Sequence, residues 1–203
     1  MENTDYSIET YSGNRFDYSK LEENEYDIRD IAHCLSLQCR YNGHCLSFYS
    51  VAEHCCHVSD TLYKEQTTKT LRETIALAGL MHDATEAYVG DVVAPLKRLL
   101  PQFKSIENDI AFYIEKTFGY APFHHDDPVI KDVDMRILVE EHKAIMGGDN
   151  LWATDSLKPT GAKIQLWSPR EAEDRFLTKF YNLRGEINSR ILRDKNTSRV
   201  AQW

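Results

Sequence analysis

The chain has 203 residues, 42% hydrophobic and 28% charged, enough for one domain with a single core and short for two. With 32 acids against 24 bases the formal charge is −8, which disfavours binding to a nucleic-acid polymer backbone. No run approaches the ~18 apolar residues of a membrane span, and the polar, acidic opening MENTDYSIETYSGNRFDYSK is unlike a secretory signal.

The five cysteines (34, 39, 45, 55 and 56) are odd in number and none are spaced C-x-x-C, so they read as reduced thiols of a cytoplasmic protein. A zinc knuckle from Cys39, His44 and Cys45 has the wrong spacing for the usual fingers. Residues 1–27 carry few apolar positions and read as an extended arm. Ile28, Ile31, Ala32 and Leu35 then fall at helical spacing. Asn42-Gly43 marks a turn, with Arg40, Tyr41 and His44 around it.

Ser50-Val51-Ala52-Glu53 is a capping box that opens a helix with the apolar stripe Val51, Cys55, Val58 and Leu62. His54 falls on the inner side, while His57 and Asp60 are expected to lean outward. A histidine on an apolar face is more often a satisfied core group than a ligand, so His54 gains meaning only beside other candidates.

Those candidates lie in Leu77–Lys97. Thr74–Met81 has no polar face after Thr74, and Leu71–Tyr88 reads as one buried helix that delivers His82-Asp83 and Glu86. Burying these groups is costly unless they are paired or bind a cation. On a helix Glu86 lies four residues past His82 and three past Asp83, so the three can face one cavity. An isolated His-Asp pair is commonly a solvated helix end or cap. Neighbours on a helix also point about 100° apart, so these two can share an ion only if the helix ends there or the side chains bend together. Val89-Gly90 breaks the pattern, and Asp91–Lys97 returns as a loop.

Ser105 is read as the cap of a further helix with Ile106, Ile110, Tyr113, Ile114 and Phe118 inside, stopped by Gly119. His124-His125 falls in an exposed loop. Asp127-Pro128 opens a helix with Ile130, Val133, Ile137, Leu138 and Ile145 as its stripe. Asp134 interrupts that stripe as a buried salt bridge to an Arg or as a metal ligand, with Glu141 able to support it. Residues 149–167 have no period and read as a loop, a lid or a contact surface. Ser168-Pro169-Arg170-Glu171 caps a last helix that packs Ala172, Phe176, Phe180 and Leu183, and the tail after Arg190 is basic and polar. Two imidazoles and two carboxylates on three helices form a mixed nitrogen and oxygen set suited to Mn, Fe, Co, Ni, Zn or Mg.

The ordered set H…HD…D, in IAHCLSLQCRYNGHCLSFYSVAEH, LMHDATEAYVGDVVAPLK and VIKDVDMRILVEEHKAIM, resembles the HD-domain superfamily of metal-dependent phosphohydrolases. Within it the chain is similar to phage dATP triphosphohydrolases of the DatZ type and bacterial 5'-deoxynucleotidases of the YfbR type, over residues 12–148. The resemblance implies an all-α fold, a single HD helical bundle of about five to seven helices. Residues 1–27 would form the arm, 28–148 the catalytic core, and 149–203 a loop plus C-terminal helix. It implies His54, His82, Asp83 and Asp134 as ligands of a divalent metal (Mn, Co, Zn, Mg or Fe). Glu86 would orient or activate the attacking water or meet an additional metal. Asp91 would lie beside the phosphate, with Arg40 and Lys97 contacting it. Tyr41 stands where some relatives have Trp, which bears on base and sugar selection.

The function expected from that likeness is hydrolysis of a dNTP, dATP-like, to deoxynucleoside and triphosphate by attack at the α-phosphorus. The alternative is a 5'-deoxynucleotidase releasing phosphate from dNMPs. A lesser one is a non-catalytic nucleotide-binding HD domain. A cyclic-nucleotide phosphodiesterase would need further metal-binding histidines, and His57, His124 and His125 do not match their positions. The expected setting is the cytoplasm (of the host, if phage-encoded), with a deoxynucleotide as partner and a symmetric homo-oligomer, to which Tyr6, Tyr11 and Trp203 could contribute contacts.

Overall fold

The computed structural model describes residues 5–69, 71–148 and 156–200, with side chains through residue 193. The described residues are all-α in class, with one small hairpin. That hairpin pairs β1 (Ser7–Glu9) with β2 (Arg15–Asp17), Ile8 opposite Phe16. It replaces the expected extended arm. The turn between the strands contains Gly13 at φ 83, a conformation that glycine adopts without a Cβ clash. Phe16 is buried, stacks on Tyr88 and meets Tyr18 and Tyr26 edge-on, so the hairpin caps the core and is not loose cover.

Helix α1 (Ile28–Leu37) is capped by Asp27, whose side chain accepts from the Arg29 N–H. Helix α2 (Val51–Glu65) starts at the expected box, with Ser50 Oγ accepting from the Glu53 N–H at 3.1 Å. Helix α3 (Arg72–Leu80) packs along α2. Gly79 permits that approach: a Cβ there would stand 2.2 Å from Leu62 Cδ1.

The expected single helix Leu71–Tyr88 is two elements. It stops at Leu80, passes through a turn, and resumes as the one-turn helix α4 (Glu86–Val89). Nothing in Met81–Glu86 breaks a helix by propensity. The Met81 N–H bonds the carbonyls of Leu77 and Ala78, Ala84 N–H bonds Met81 and Glu86 N–H bonds Asp83, so the chain tightens just where the His-Asp pair sits.

Helix α5 (Ala94–Lys97) is one turn within the expected loop. Helix α6 (Pro101–Phe118) begins at Pro101, four residues before the expected cap Ser105, because proline with its fixed φ occupies N1. Helix α7 (Pro128–Ile145) has its expected Asp127 cap, and α8 (Pro169–Val200) runs into the tail. Ala172, Phe176, Phe180 and Leu183 of α8 are buried against α1, α2 and α3. Residues 149–155 of the expected loop, and Trp203, lie outside the described residues.

Three readings of exposure change. Ile106, expected inside α6, is 43% exposed because the helix buries the face of Ile110, Ile114 and Phe118. Two histidines move the other way. His57 is buried, its Nε2 3.3 Å from Glu53 Oε1 and its ring against Trp167. Glu53 spends its carboxylate on the backbone N–H groups of Gln165, Leu166 and Trp167 at 2.7–3.1 Å, tying the segment before α8 onto α2. His125 is half-buried and pairs with Glu115, as does the exposed His124. No described helix is long and apolar enough to cross a membrane.

Candidate metal centre

Three elements deliver the cluster. The first turn of α2 presents His54, the turn after α3 presents His82 and Asp83, and the second turn of α7 presents Asp134. His54 Nε2 lies 3.3 Å from His82 Nε2, 3.0 Å from Asp134 Oδ1 and 3.8 Å from Asp83 Oδ2. His82 Nε2 lies 3.2 Å from Asp83 Oδ2. The end of the helix at Leu80 is what lets adjacent His82 and Asp83 converge, since a continued helix would aim them about 100° apart. Asp134 meets His54, not an arginine. Arg136, the nearby buried arginine, is held by Glu65 and Asp132 instead.

The outer nitrogens decide the chemistry. His54 Nδ1 is 2.6 Å from Glu141 Oε1, and His82 Nδ1 is 2.8 Å from the Gly79 carbonyl. Each partner accepts, so each Nδ1 carries a proton, and the two Nε2 atoms face each other across the space that a shared proton or a cation would fill. The two facing Nε2 atoms, with Asp134 beside His54 and Asp83 beside His82, repel unless a cation or proton lies between them. The donors fit a divalent cation, and carboxylate or carbonyl support behind each histidine is the usual arrangement around metal-bound imidazole.

Without a cation, the surrounding carboxylates favour a proton on the imidazoles. Burial pulls the His82 pKa down, but the Asp83 carboxylate outweighs it and pushes the value up to about 9. His54 is likewise raised: burial and Arg40 oppose, and Glu141 and Asp134 prevail. Burial raises Asp83 and Asp134, yet the neighbouring imidazoles hold both below the usual carboxylate range.

Glu141, one of the residues least conspicuous in the sequence, is fully buried and accepts from Tyr49 Oη at 2.9 Å and from Tyr41 Oη. Arg40 bridges Glu141 and Asp83, each at 3.5 Å. Burial opposes the Glu141 charge, but Arg40 and His54 hold its pKa far below normal. Arg40 and Tyr41 sit on a left-handed turn, with Tyr41 at φ 59, Asn42 at φ 53 and Gly43 at φ 75. Asn and Gly tolerate that region; a tyrosine costs about 1–2 kcal/mol there. Its hydroxyl on Glu141 is what holds it.

Glu86 is buried, with one oxygen 3.3 Å from Lys97 Nζ and the other without a hydrogen-bond partner. Burial, then Asp83 and Asp91, push its pKa well above the usual range. Asp91 is half-buried and raised by burial and Asp83, against Arg40. Lys97 is shared between Glu86 and Glu107 (2.6 Å), so its charge is already matched by carboxylates. The ligand atoms of His54, His82 and Asp134 lie within 4.8 Å of one another, and so do those of Cys55, His82 and Asp83, which brings in Cys55, read in the sequence only as part of an apolar stripe. Burial holds its thiol neutral, and the Asp83 backbone N–H donates to it.

Over 136 residues, 67% of this chain and 70% of the relative, the sequence is 40% identical to the uncharacterized protein YfdR of Escherichia coli strain K12. The chain belongs to the YfdR family. A second member, an uncharacterized protein of Rhodobacter capsulatus, is 31% identical over 183 residues, 85% of this chain and 92% of its own. No family model matches the chain. The stretch shared with the Rhodobacter member is therefore longer than the metal-centre helices alone.

Proposed function

We propose that the chain is a metal-dependent phosphohydrolase of deoxynucleotides of the HD type. The observation that supports this reading is the pair of imidazole Nε2 atoms 3.3 Å apart, one beside the Asp134 carboxylate and the other beside that of Asp83, in the order H…HD…D. His54, His82, Asp83 and Asp134 would hold the divalent cation, Mn, Co, Zn, Mg or Fe. When bound, such a cation lowers the pKa of water and offsets phosphate charge.

The other residues have roles of their own. Glu86, its pKa raised by burial and one oxygen free of hydrogen bonds, accepts the proton of the water that attacks phosphorus. Arg40, whose Nε has no hydrogen-bond partner, grips a phosphate oxygen beside Asp83. Lys97 keeps Glu86 in place. Asp91 stands beside the phosphate, and Tyr41 borders the base or sugar.

For a dNTP, attack at the α-phosphorus releases deoxynucleoside and triphosphate, and the exposed Arg98 and Lys104 offer charge for the outer phosphates. A dNMP reading is favoured by a different observation: the two cations paired with the cluster carboxylates, Arg40 and Lys97, are already shared, which suits one phosphate better than three. The test is ion-exchange analysis of products from each dNTP and dNMP with Mn, Co, Mg or Zn supplied in turn. Triphosphate plus deoxynucleoside supports the first reading, and orthophosphate from dNMPs alone the second. Turnover of neither under any metal overturns the proposal in favour of a binding domain.

A further inference from the structure

Cys39 and Cys45 bracket the left-handed turn that carries Arg40 and Tyr41, and their Sγ atoms lie 3.5 Å apart. Backbone contacts hold them there. Residue 39 faces Ser50 in an antiparallel bridge, and the Arg40 N–H donates to the Tyr49 carbonyl at 2.9 Å. Beyond Cys45, the Leu46 N–H donates to the Ile145 carbonyl at 2.8 Å. The two thiols are half-buried and residues 42–44 between them are exposed, whereas Cys55 and Cys56 are enclosed in the core. A disulfide requires about 2.05 Å between sulfurs, an approach of roughly 1.5 Å that small side-chain rotations supply.

We propose that Cys39 and Cys45 form a redox-modifiable dithiol that closes residues 39–45 into a ring around Arg40 and Tyr41. The oxidant is a small-molecule disulfide, RSSR. One cysteine thiolate attacks it, forming a protein–SR mixed disulfide and expelling one RS⁻. The second thiolate attacks the protein sulfur of that mixed disulfide, expelling the other RS⁻. The two thiol protons end on two RSH, so two cysteines are oxidised and one RSSR is reduced. Burial and the adjacent Cys39 push the Cys45 thiol up to about 11. The ring restrains Tyr41 and Asn42, both at positive φ, and keeps Arg40 against Asp83 and Glu141. None of this depends on the phosphohydrolase reading.

The experiment incubates the full-length protein with oxidised glutathione, blocks remaining thiols after denaturation, and maps the linked peptides by mass spectrometry. Three of the five cysteines should remain alkylatable, with a single Cys39–Cys45 link that dithiothreitol reverses. Hydrogen exchange over residues 40–48 should slow at least threefold on oxidation. Cys34→Ser should form the same link, whereas Cys45→Ser should retain glutathione on Cys39. Persistent glutathione adducts on the unaltered chain, a link through Cys34, or five free thiols would each overturn the proposal.

Discussion

His54 and His82 face each other through Nε2 atoms 3.3 Å apart, while each Nδ1 is committed to an acceptor, Glu141 and the Gly79 carbonyl respectively. This relationship fixes both tautomers and leaves the inner nitrogens with nothing to share except a proton or a cation. Everything else at the centre is arranged around it.

Glu141 is the first consequence. Replacing it by Gln keeps the hydrogen-bonding shape but removes the charge behind His54, so metal affinity should fall about 10–100-fold, as for other partners of ligating histidines. Glu141→Ala should also destabilise the fold by about 3–5 kcal/mol, because Arg40 is left buried without one of its charges. Competition with a fluorescent chelator reads the first effect and thermal unfolding the second. Unchanged affinity in Glu141→Gln would show that His54 needs no carboxylate.

Glu86 is separable from the ligands. Glu86→Gln should lower turnover by about 10²–10⁴-fold if it moves the proton of the attacking water, with metal content unchanged. A variant that loses its metal along with its activity would assign Glu86 to the cation instead.

Much of this centre was legible in the sequence, though not its detail. Ser50 and Asp127-Pro128 announced the starts of α2 and α7, and with them the positions of His54 and Asp134. The stop of α3 at Leu80 was hidden, since Gly79 lies inside the helix as a packing position and no Gly or Pro follows it before Gly90. Glu141 was named only as support because its partner His54 is 87 residues away, beyond any local spacing. The hairpin has a local signal of its own, Ser12-Gly13-Asn14 between two short alternating runs. Pro101 likewise marked the true start of α6 better than Ser105.

Gly79 links packing to the site. Gly79→Ala places a Cβ against Leu62 and should cost about 1–3 kcal/mol of overpacking. For a chain of this length that is roughly 2–4 °C of Tm per kcal/mol. The same residue's carbonyl holds His82, so metal affinity should fall with it. A Tm equal to that of the parent would mean that α2 and α3 can part without loss.

The strap before α8 should be acid-sensitive. Burial raises the Glu53 pKa, but His57 and the N–H groups of Gln165 and Trp167 outweigh it, and the folded value lies below the ordinary 4.5. A depressed carboxylate contributes stability that is fully present above its unfolded pKa and is lost as pH falls through the folded one. Glu53→Gln should therefore have a lower Tm than the parent at pH 6, and the gap should narrow below about pH 4.5. A gap independent of pH would indicate that the strap is held by packing alone.

The most direct measurement is the metal content of the full-length protein after reconstitution and dialysis, by inductively coupled plasma mass spectrometry, beside that of His82→Ala. The account predicts about one divalent ion or more per chain, falling at least tenfold in the variant while far-UV circular dichroism keeps its helical signal. A parent chain that retains no ion, or a His82→Ala chain that retains the full complement, would contradict it.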